Sequence, residues 1–426
     1  MRGLPVGDAA LQDHVPAGRA AVDTPRAGPG LRLAFTLGAL SSFGPLSTDF
    51  YLPGLPALSS DLHAHAWLGQ ATVTGFLVGL AVGQIAIGPV ADSIGRRRPV
   101  LAGIAVYIAA SLLCAVAPSI EVLLVGRFAQ GVAGAAGIVI SRAIVRDLYN
   151  GAAAARLFSR LMLVIGVAPI AAPALGAELL RLTPWRGLFV VLALVGGLIF
   201  LLAALYVPET LKGRMPARGV RGSAAALLAV AVRPSFLSFA VIQGLVLGAL
   251  FTYIAGSSFV FERAYGVTPE TYGILFGANA LGLVAFSQVN GSLVLRFGPA
   301  RLLRVGMLVG LLGSLVLAVG AAGGLGLVVI IPALFTVVAS FGLVAPNATA
   351  LALEDLAEHV GTGSGLLGVL GYVIGAAVAP LAGLGSRPSA TPMSAAILGL
   401  ELAAFLLLIV VSRRRQLDAE PAQALA

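Results

Sequence analysis

Long apolar stretches, each about twenty residues and separated by short polar breaks, recur from Leu33 to Val411. A bilayer core is ~30 Å thick, and a run of that length crosses it as a helix whose backbone groups are all satisfied internally. The pattern predicts twelve spans: 33–58, 68–92, 99–117, 120–146, 157–182, 186–207, 234–261, 271–295, 300–321, 325–351, 362–385 and 393–411. The short alternating segments of a membrane β-barrel are missing. Residues 1–30, rich in Pro, Gly, Ala and mixed charge, read as a disordered tail, and 416–426 as a second tail. The first apolar run is too long for a signal-peptide core and has no clear cleavage site, so it reads as a retained span.

The longest polar break, "PETLKGRMPARGVRG" from Pro208 to Gly222, divides six spans from six. Across it, "GPVADSIGRRRPVLAG" (88–103) is echoed by "GSLVLRFGPARLLRVG" (291–306), with Gly at the first and eighth positions of both; Leu295 stands where the first copy has Asp92. The expected fold is therefore an all-α membrane protein of twelve transmembrane helices in two pseudo-symmetric six-helix bundles, 31–207 and 233–415, joined by a linker at 208–232. Such repeats place a transport path near the bilayer midplane between the halves.

Composition agrees: 58% of residues are hydrophobic, 11% are charged and mean hydropathy is +0.99, against roughly 25% charged in soluble proteins. The net charge of +9 does not point to nucleic acid, because most of the basic residues fall at alternate ends of the spans, as at Arg96–Arg98, Arg301, Arg304 and Arg413–Arg415. This positive-inside bias predicts a cell-membrane protein with both termini cytoplasmic. The loop with Glu354, Asp355 and Glu358 dissents, although acids weigh little in the rule. Cys114 is the only cysteine, which excludes a disulfide framework or Cys metal cluster, and His14, His63, His65 and His359 lie in the tail or loops. No metal site, catalytic pair or nucleotide-binding G-x-x-x-x-G-K-[ST] loop is visible, so neither an enzyme nor a cofactor is expected, and ATP is not the expected direct energy source, which leaves a proton gradient as the expectation.

Candidate chemistry centres on "STDFYLPGLP", residues 47–56. A carboxylate inside a span costs at least ~2.5–3.5 kcal/mol, so Asp49 is a functional candidate as a proton carrier, the bland alternative being a hydrogen-bond acceptor between helices. Pro53 lacks the N–H that would bond the carbonyl of Asp49, and Pro45 does the same to Ser41; span one should therefore kink at both places. Arg127 lies deep in span four and is the matching cation, its alternative role being to hold spans one and four together. Glu401 is the rival deep acid and has no motif around it; Glu178 sits near an outer end. Gly88 and Gly95 permit tight turning beside Asp92, Arg96 and Arg97, where ion pairs with helix ends would gate the halves. In span five, Gly166, Pro169, Pro173 and Gly176 line one helical face that suits close packing. Phe50, Tyr51, Gln243, Phe251, Tyr253, Asn279, Asn347 and Tyr372 are candidates for a mostly apolar binding surface.

"GPVADSIGRRRPVL" resembles the loop signature of the major facilitator superfamily, G-x-L-x-D-R-x-G-R-R/K, with Val90 and Ser93 as departures. "LGALSSFGPLSTDFYLPGLPAL", "GRFAQGVAGAAGIVISRAIVRDLY" and "VIGVAPIAAPALGAELL" narrow the resemblance to the Bcr/CflA-type drug:proton antiporters, which include bicyclomycin and chloramphenicol exporters. The usual span-five pattern has Gly before its second proline; here it is Ala172. The resemblance implies the major facilitator fold, alternating access, a role for Arg127 in proton transfer with Asp49 or its neighbours, and antiport by the span-five motif. It further implies a monomer in the lipid bilayer whose partners are protons and a drug-like small molecule, giving multidrug efflux. Proton-coupled transport of a metabolite such as a sugar or amino acid is the alternative, and would call for more charged or amide groups in the cavity.

Overall fold

The computed structural model describes residues 31–149, 151–211, 228–356, 360–383 and 389–424. The tail at 1–30, His14, His359 and linker residues 212–227 lie outside them. All twelve apolar runs form helices. Span one is broken into Leu31–Ser41, Phe43–Asp49, a 3-10 turn at Leu52–Gly54, and Leu55–Asp61. Spans two to six are Ala66–Ile94, Arg97–Ala115, Ile120–Leu148, Gly151–Leu180 and Trp185–Tyr206. Spans seven to twelve are Pro234–Ser258, Pro269–Phe297, Pro299–Ala322, Leu327–Leu353, Val360–Val378 and Thr391–Ala424, so the last helix outruns its predicted end at 411. The last turn of span seven widens into a π-helix at Phe259–Ala264, and span eleven ends in a 3-10 turn at Ala379–Gly383.

The breaks in span one fall where the prolines dictate. Its helical segments end at Ser41 and Asp49, each four residues before a proline that cannot return the i−4 hydrogen bond. Elsewhere proline helps: Pro234, Pro269 and Pro299 open spans seven, eight and nine, where the missing N–H costs nothing. The two halves also repeat in backbone detail. Gly95 and Gly298, equivalent positions in the echo, turn between spans with φ of 100° and 75°, a region that favours glycine.

The two ends of the molecule are packed differently. At the end opposite the Arg96–Arg98 loop, one continuous core draws on both bundles, including Tyr51, Leu55 and Phe189 from the first and Phe259, Tyr272 and Leu334 from the second. Toward the basic end the core splits in two: Leu37, Ile104 and Ile144 belong to a cluster of the first bundle alone, and Phe236, Met307 and Leu351 to one of the second. Large apolar side chains on the outside of both bundles, such as Leu194, Leu198, Leu312 and Val319, are exposed, as expected of a multi-pass membrane protein facing lipid.

Glycines report the same divergence. A Cβ at Gly273 would stand 2.9 Å from the Cα of Ala174, and one at Gly277 2.8 Å from the carbonyl oxygen of Ile170, so spans five and eight touch backbone to backbone. Further toward the basic end, a Cβ at Gly166 would be 3.7 Å from Val284, and one at Gly291 would meet nothing within 4 Å. Spans two and eleven diverge likewise, from contact of Gly383 with Gln70 and Trp67 to a 3.1 Å approach of Gly368 to Gln84, and then open space at Gly88 and Gly365. The bundles are closed at the far end and parted at the basic end. Arg263 adds polar contacts across the closed end, donating to the carbonyl of Pro56 and the hydroxyl of Ser60.

This packing makes a testable statement. Gly277→Leu cannot fit against the Ile170 backbone and should force the far end open. Because Cys114 is buried, Thr48→Cys supplies a clean reporter; adding Gly277→Leu should raise its labelling by an impermeant thiol reagent from the far side.

Candidate functional site

A cavity of ≈ 180 Å³ lies where the bundles begin to part. The first bundle supplies Gly44, Pro45, Thr48 and Asp49 from span one, Leu77 and Leu80 from span two, and Pro169 from span five. The second supplies Leu250, Phe251, Ile254, Phe276, Ala280, Leu283, Val338 and Tyr372. The walls are thus apolar and aromatic, with one carboxylate, one phenol and one hydroxyl. The Thr48 hydroxyl donates to the carbonyl of Gly44 at 2.8 Å, which leaves Asp49 as the charged group facing the space.

Asp49 is only 4% exposed, and none of the ion pairs or side-chain hydrogen bonds found among the described residues involves it. It closes the helical segment that Pro53 ends, so the acid sits at an interruption lining a cavity, where such breaks are tolerated.

Arg127 is a different matter. It makes no ion pair with Asp49, and its contacts lie inside the first bundle. Its guanidinium is fully buried, lies 4.2 Å from the ring centre of Tyr51 and 4.4 Å from that of Phe76, and donates to the Thr72 carbonyl at 3.4 Å and to Gln130. Gln130 donates onward to Ser111 at 2.8 Å, and the hydroxyls of Tyr51 and Thr72 are 2.9 Å apart. The reason is helical geometry. Asp49 and Tyr51 are two residues apart, about 200° around a helix of 3.6 residues per turn; one faces the cavity and the other the interior of the first bundle, and Arg127 approaches from the Tyr51 side.

Of the eight binding candidates, Phe251 and Tyr372 line the cavity and their rings stand 5.9 Å apart. The other six are spent within their own bundles. Phe50 packs against span five, where its carbonyl meets Gly176; Tyr51 covers Arg127. Gln243 accepts from Thr349 at 3.0 Å, Tyr253 accepts from Asn279 at 2.8 Å, and Asn347 donates to Asn290 and to the Leu343 carbonyl. Buried amides find partners wherever they are, so an amide in a span is a poor marker of the wet side. Missed from sequence were Leu77, Leu80, Leu250, Ile254, Phe276 and Val338. Thr48, Pro45 and Gly44 had a usable signal, lying within one or two turns of Asp49 on the same broken helix.

The span-five motif faces two ways, toward the second bundle at Pro169 and Pro173 and toward span one of its own bundle at Gly176. Pro169 lines the cavity, the Pro173–Ala174 backbone meets Gly273, and Gly176 meets Phe50. The loop motif differs from its reading. Gly88 and Asp92 belong to the helix of span two rather than to a loop, and the ion pairs of Arg96 join residues of the first bundle. Arg96 pairs with Asp92 and, at 3.0 Å, with Asp147; Arg97 donates to the Ala204 carbonyl at 2.6 Å. Glu209 accepts from the backbone N–H groups of Arg96 and Arg97 at 2.9 and 3.1 Å.

Partial burial pushes the Glu209 carboxyl up, but the N–H groups of Arg96, Leu211, Arg97 and Thr210 together hold it below the usual carboxylate range. A depressed acid contributes stability above its unfolded value, about 4.3 for Glu, and loses it as pH falls through the folded value. Glu209→Gln should therefore lower the melting temperature at neutral pH, with the gap to the parent protein closing below about pH 4.

Two six-helix bundles meeting around a cavity, closed at one end and parted at the other, have the architecture of a membrane transporter. The chain belongs to the major facilitator superfamily, whose sequence profile matches residues 36–380. It is 38% identical over 373 residues to a Bacillus subtilis protein described as the uncharacterized MFS-type transporter YdgK, covering 86% of this chain and 91% of that one. It is 30% identical to the bicyclomycin resistance protein homolog of Haemophilus influenzae, covering 84% and 90%. The multidrug resistance protein MdtL of Klebsiella pneumoniae is 29% identical, over 78% and 83%. Among solved structures, the human organic anion transporter MFSD10 has a TM-score of 0.63 at 21% identity, covering 90% of this chain and all of that one. The xylose transporter XylE from E. coli has 0.70 at 13%, covering 89% and 96%. At those identities the likeness is one of fold.

Proposed function

We propose that this protein exchanges protons for lipophilic drug-like compounds across the cell membrane, exporting them by alternating access. The observation that carries the reading is Asp49: an unpaired carboxylate on the wall of an apolar cavity between two bundles. Relatives named for bicyclomycin and multidrug resistance support the substrate class. In this reading the parted end, which carries the basic loops, and both termini are cytoplasmic, as the positive-inside rule supports. A compound entering from the cytoplasm meets Asp49, displaces its proton, and leaves on the other side, where a proton replaces it.

The drive is sufficient. One charge crossing ~100 mV supplies about 2.3 kcal/mol and one pH unit about 1.4 kcal/mol; together they support a gradient of several hundred-fold for a neutral solute exchanged with one proton. Protein reconstituted in liposomes, given an imposed pH gradient and a panel of antibiotics and dyes, should move hydrophobic compounds against their gradient. Movement of a sugar or amino acid and of no hydrophobic compound would replace this reading with metabolite transport.

A further inference from the structure

A second acid lies behind the cavity wall. Glu401, in span twelve, is 1% exposed, and neither of its carboxyl oxygens has a hydrogen-bond partner. It shares a small pocket with Val246, Leu250, Tyr253, Val337, Val338 and Phe341. Leu250 and Val338 also line the main cavity. Two aliphatic side chains therefore form the partition between Glu401 and the space that holds Asp49. Room for the carboxyl is made by Gly310, where a Cβ would stand 3.0 Å from Glu401 Oε2 and 2.7 Å from the Ser340 hydroxyl.

Among the described residues no other charge is at hand to hold the acid. Span twelve packs against spans seven and nine and the 3-10 turn of span eleven. The titratable group facing Glu401 from span seven is Tyr253, whose hydroxyl is engaged with Asn279. Span nine presents Gly310, and the turn at Ala379–Gly383 contains no titratable residue. The Ser340 hydroxyl of span ten is turned to the Val337 carbonyl at 2.7 Å. Glu262, Arg263, Arg301 and Arg304 stand at the ends of their helices.

An ionised carboxylate in such a place is without a counter-charge or a donor, and buried ionisable groups in spans mark proton relays. We propose that Glu401 is a second proton-binding site, loaded and emptied through the main cavity when Leu250 and Val338 move aside, so that each bundle carries one transported proton. This rests on the proton-exchange reading above and adds a second proton to it.

The test needs no transported compound. Infrared difference spectra of the full chain in liposomes, taken between acidic and alkaline buffer, show the carbonyl stretch of every carboxyl that protonates. The proposal expects one component lost in Glu401→Gln and retained in Asp49→Asn, and another with the reverse behaviour. A Glu401→Gln spectrum identical to that of the parent overturns the proposal while leaving Asp49 in place; if Asp49→Asn also changes nothing, proton exchange itself falls. Should Glu401→Gln fail to fold, Gly310→Ala keeps the acid and crowds it, and must shift the midpoint of that component; an unmoved midpoint counts against the site.

Discussion

Asp49→Asn is expected to cut the steady accumulation of substrate at least tenfold for each unit of imposed pH gradient, while exchange of labelled for unlabelled substrate continues. One pH unit is worth about 1.4 kcal/mol per coupled proton, a factor of ten, and the Asn variant has one proton fewer to exchange. The change is conservative for the fold. Asp49 has no ion pair to lose, the helix break beside it is imposed by Pro53, and an amide of the same shape removes the cost of holding a charge in oil. With Glu401→Gln added, the gradient should drive nothing. An Asn variant that accumulates substrate as steeply as the parent would end the assignment of Asp49, and purified protein in liposomes makes the comparison free of competing pumps.

The second large effect belongs to Arg127, and it falls on stability. Its guanidinium is stacked between Tyr51 and Phe76, with Phe189 5.9 Å away, and donates to Thr72 and Gln130. Desolvated cation–π contacts contribute ~2 kcal/mol or more each. Arg127→Ala should therefore destabilise the first bundle by several kcal/mol, seen as a much lower melting temperature in detergent and poor yield. Arg127→Lys restores the charge but not the planar fork that spans two rings and two acceptors, so it should recover little. Full stability of the Lys variant would show that charge alone matters there. A variant that melts normally yet loses proton coupling would return Arg127 to the proton path.

Much of this architecture could be read from the chain, because the bilayer permits few solutions. Twenty apolar residues have to become a helix, a proline has to free the carbonyl four residues back, and an acid among leucines needs a reason; spans, breaks and Asp49 follow. The echo of 88–103 in 291–306 suggested two similar halves, and both copies turn at their second glycine, Gly95 and Gly298. What sequence could not supply was direction. In a helix that is apolar all round, periodicity does not say which side meets lipid, a neighbour or the cavity, so Gln243 and Asn347 looked as available as Tyr372. Nor could it show that Asp49 faces the cavity while Tyr51, two residues on, faces Arg127. Glu401 was visible as a deep acid, but its importance depends on Leu250 and Val338 belonging to two cavities at once, a fact of tertiary structure.

The core shared by both bundles at one end only has a thermal consequence. Parting the core that the two bundles share, at Leu55 and Phe259 among others, would wet a large apolar surface, and hydration of such surface raises the heat capacity. The switch between the two faces should consequently have a curved van't Hoff plot, and cooling alone should redistribute the resting protein between them.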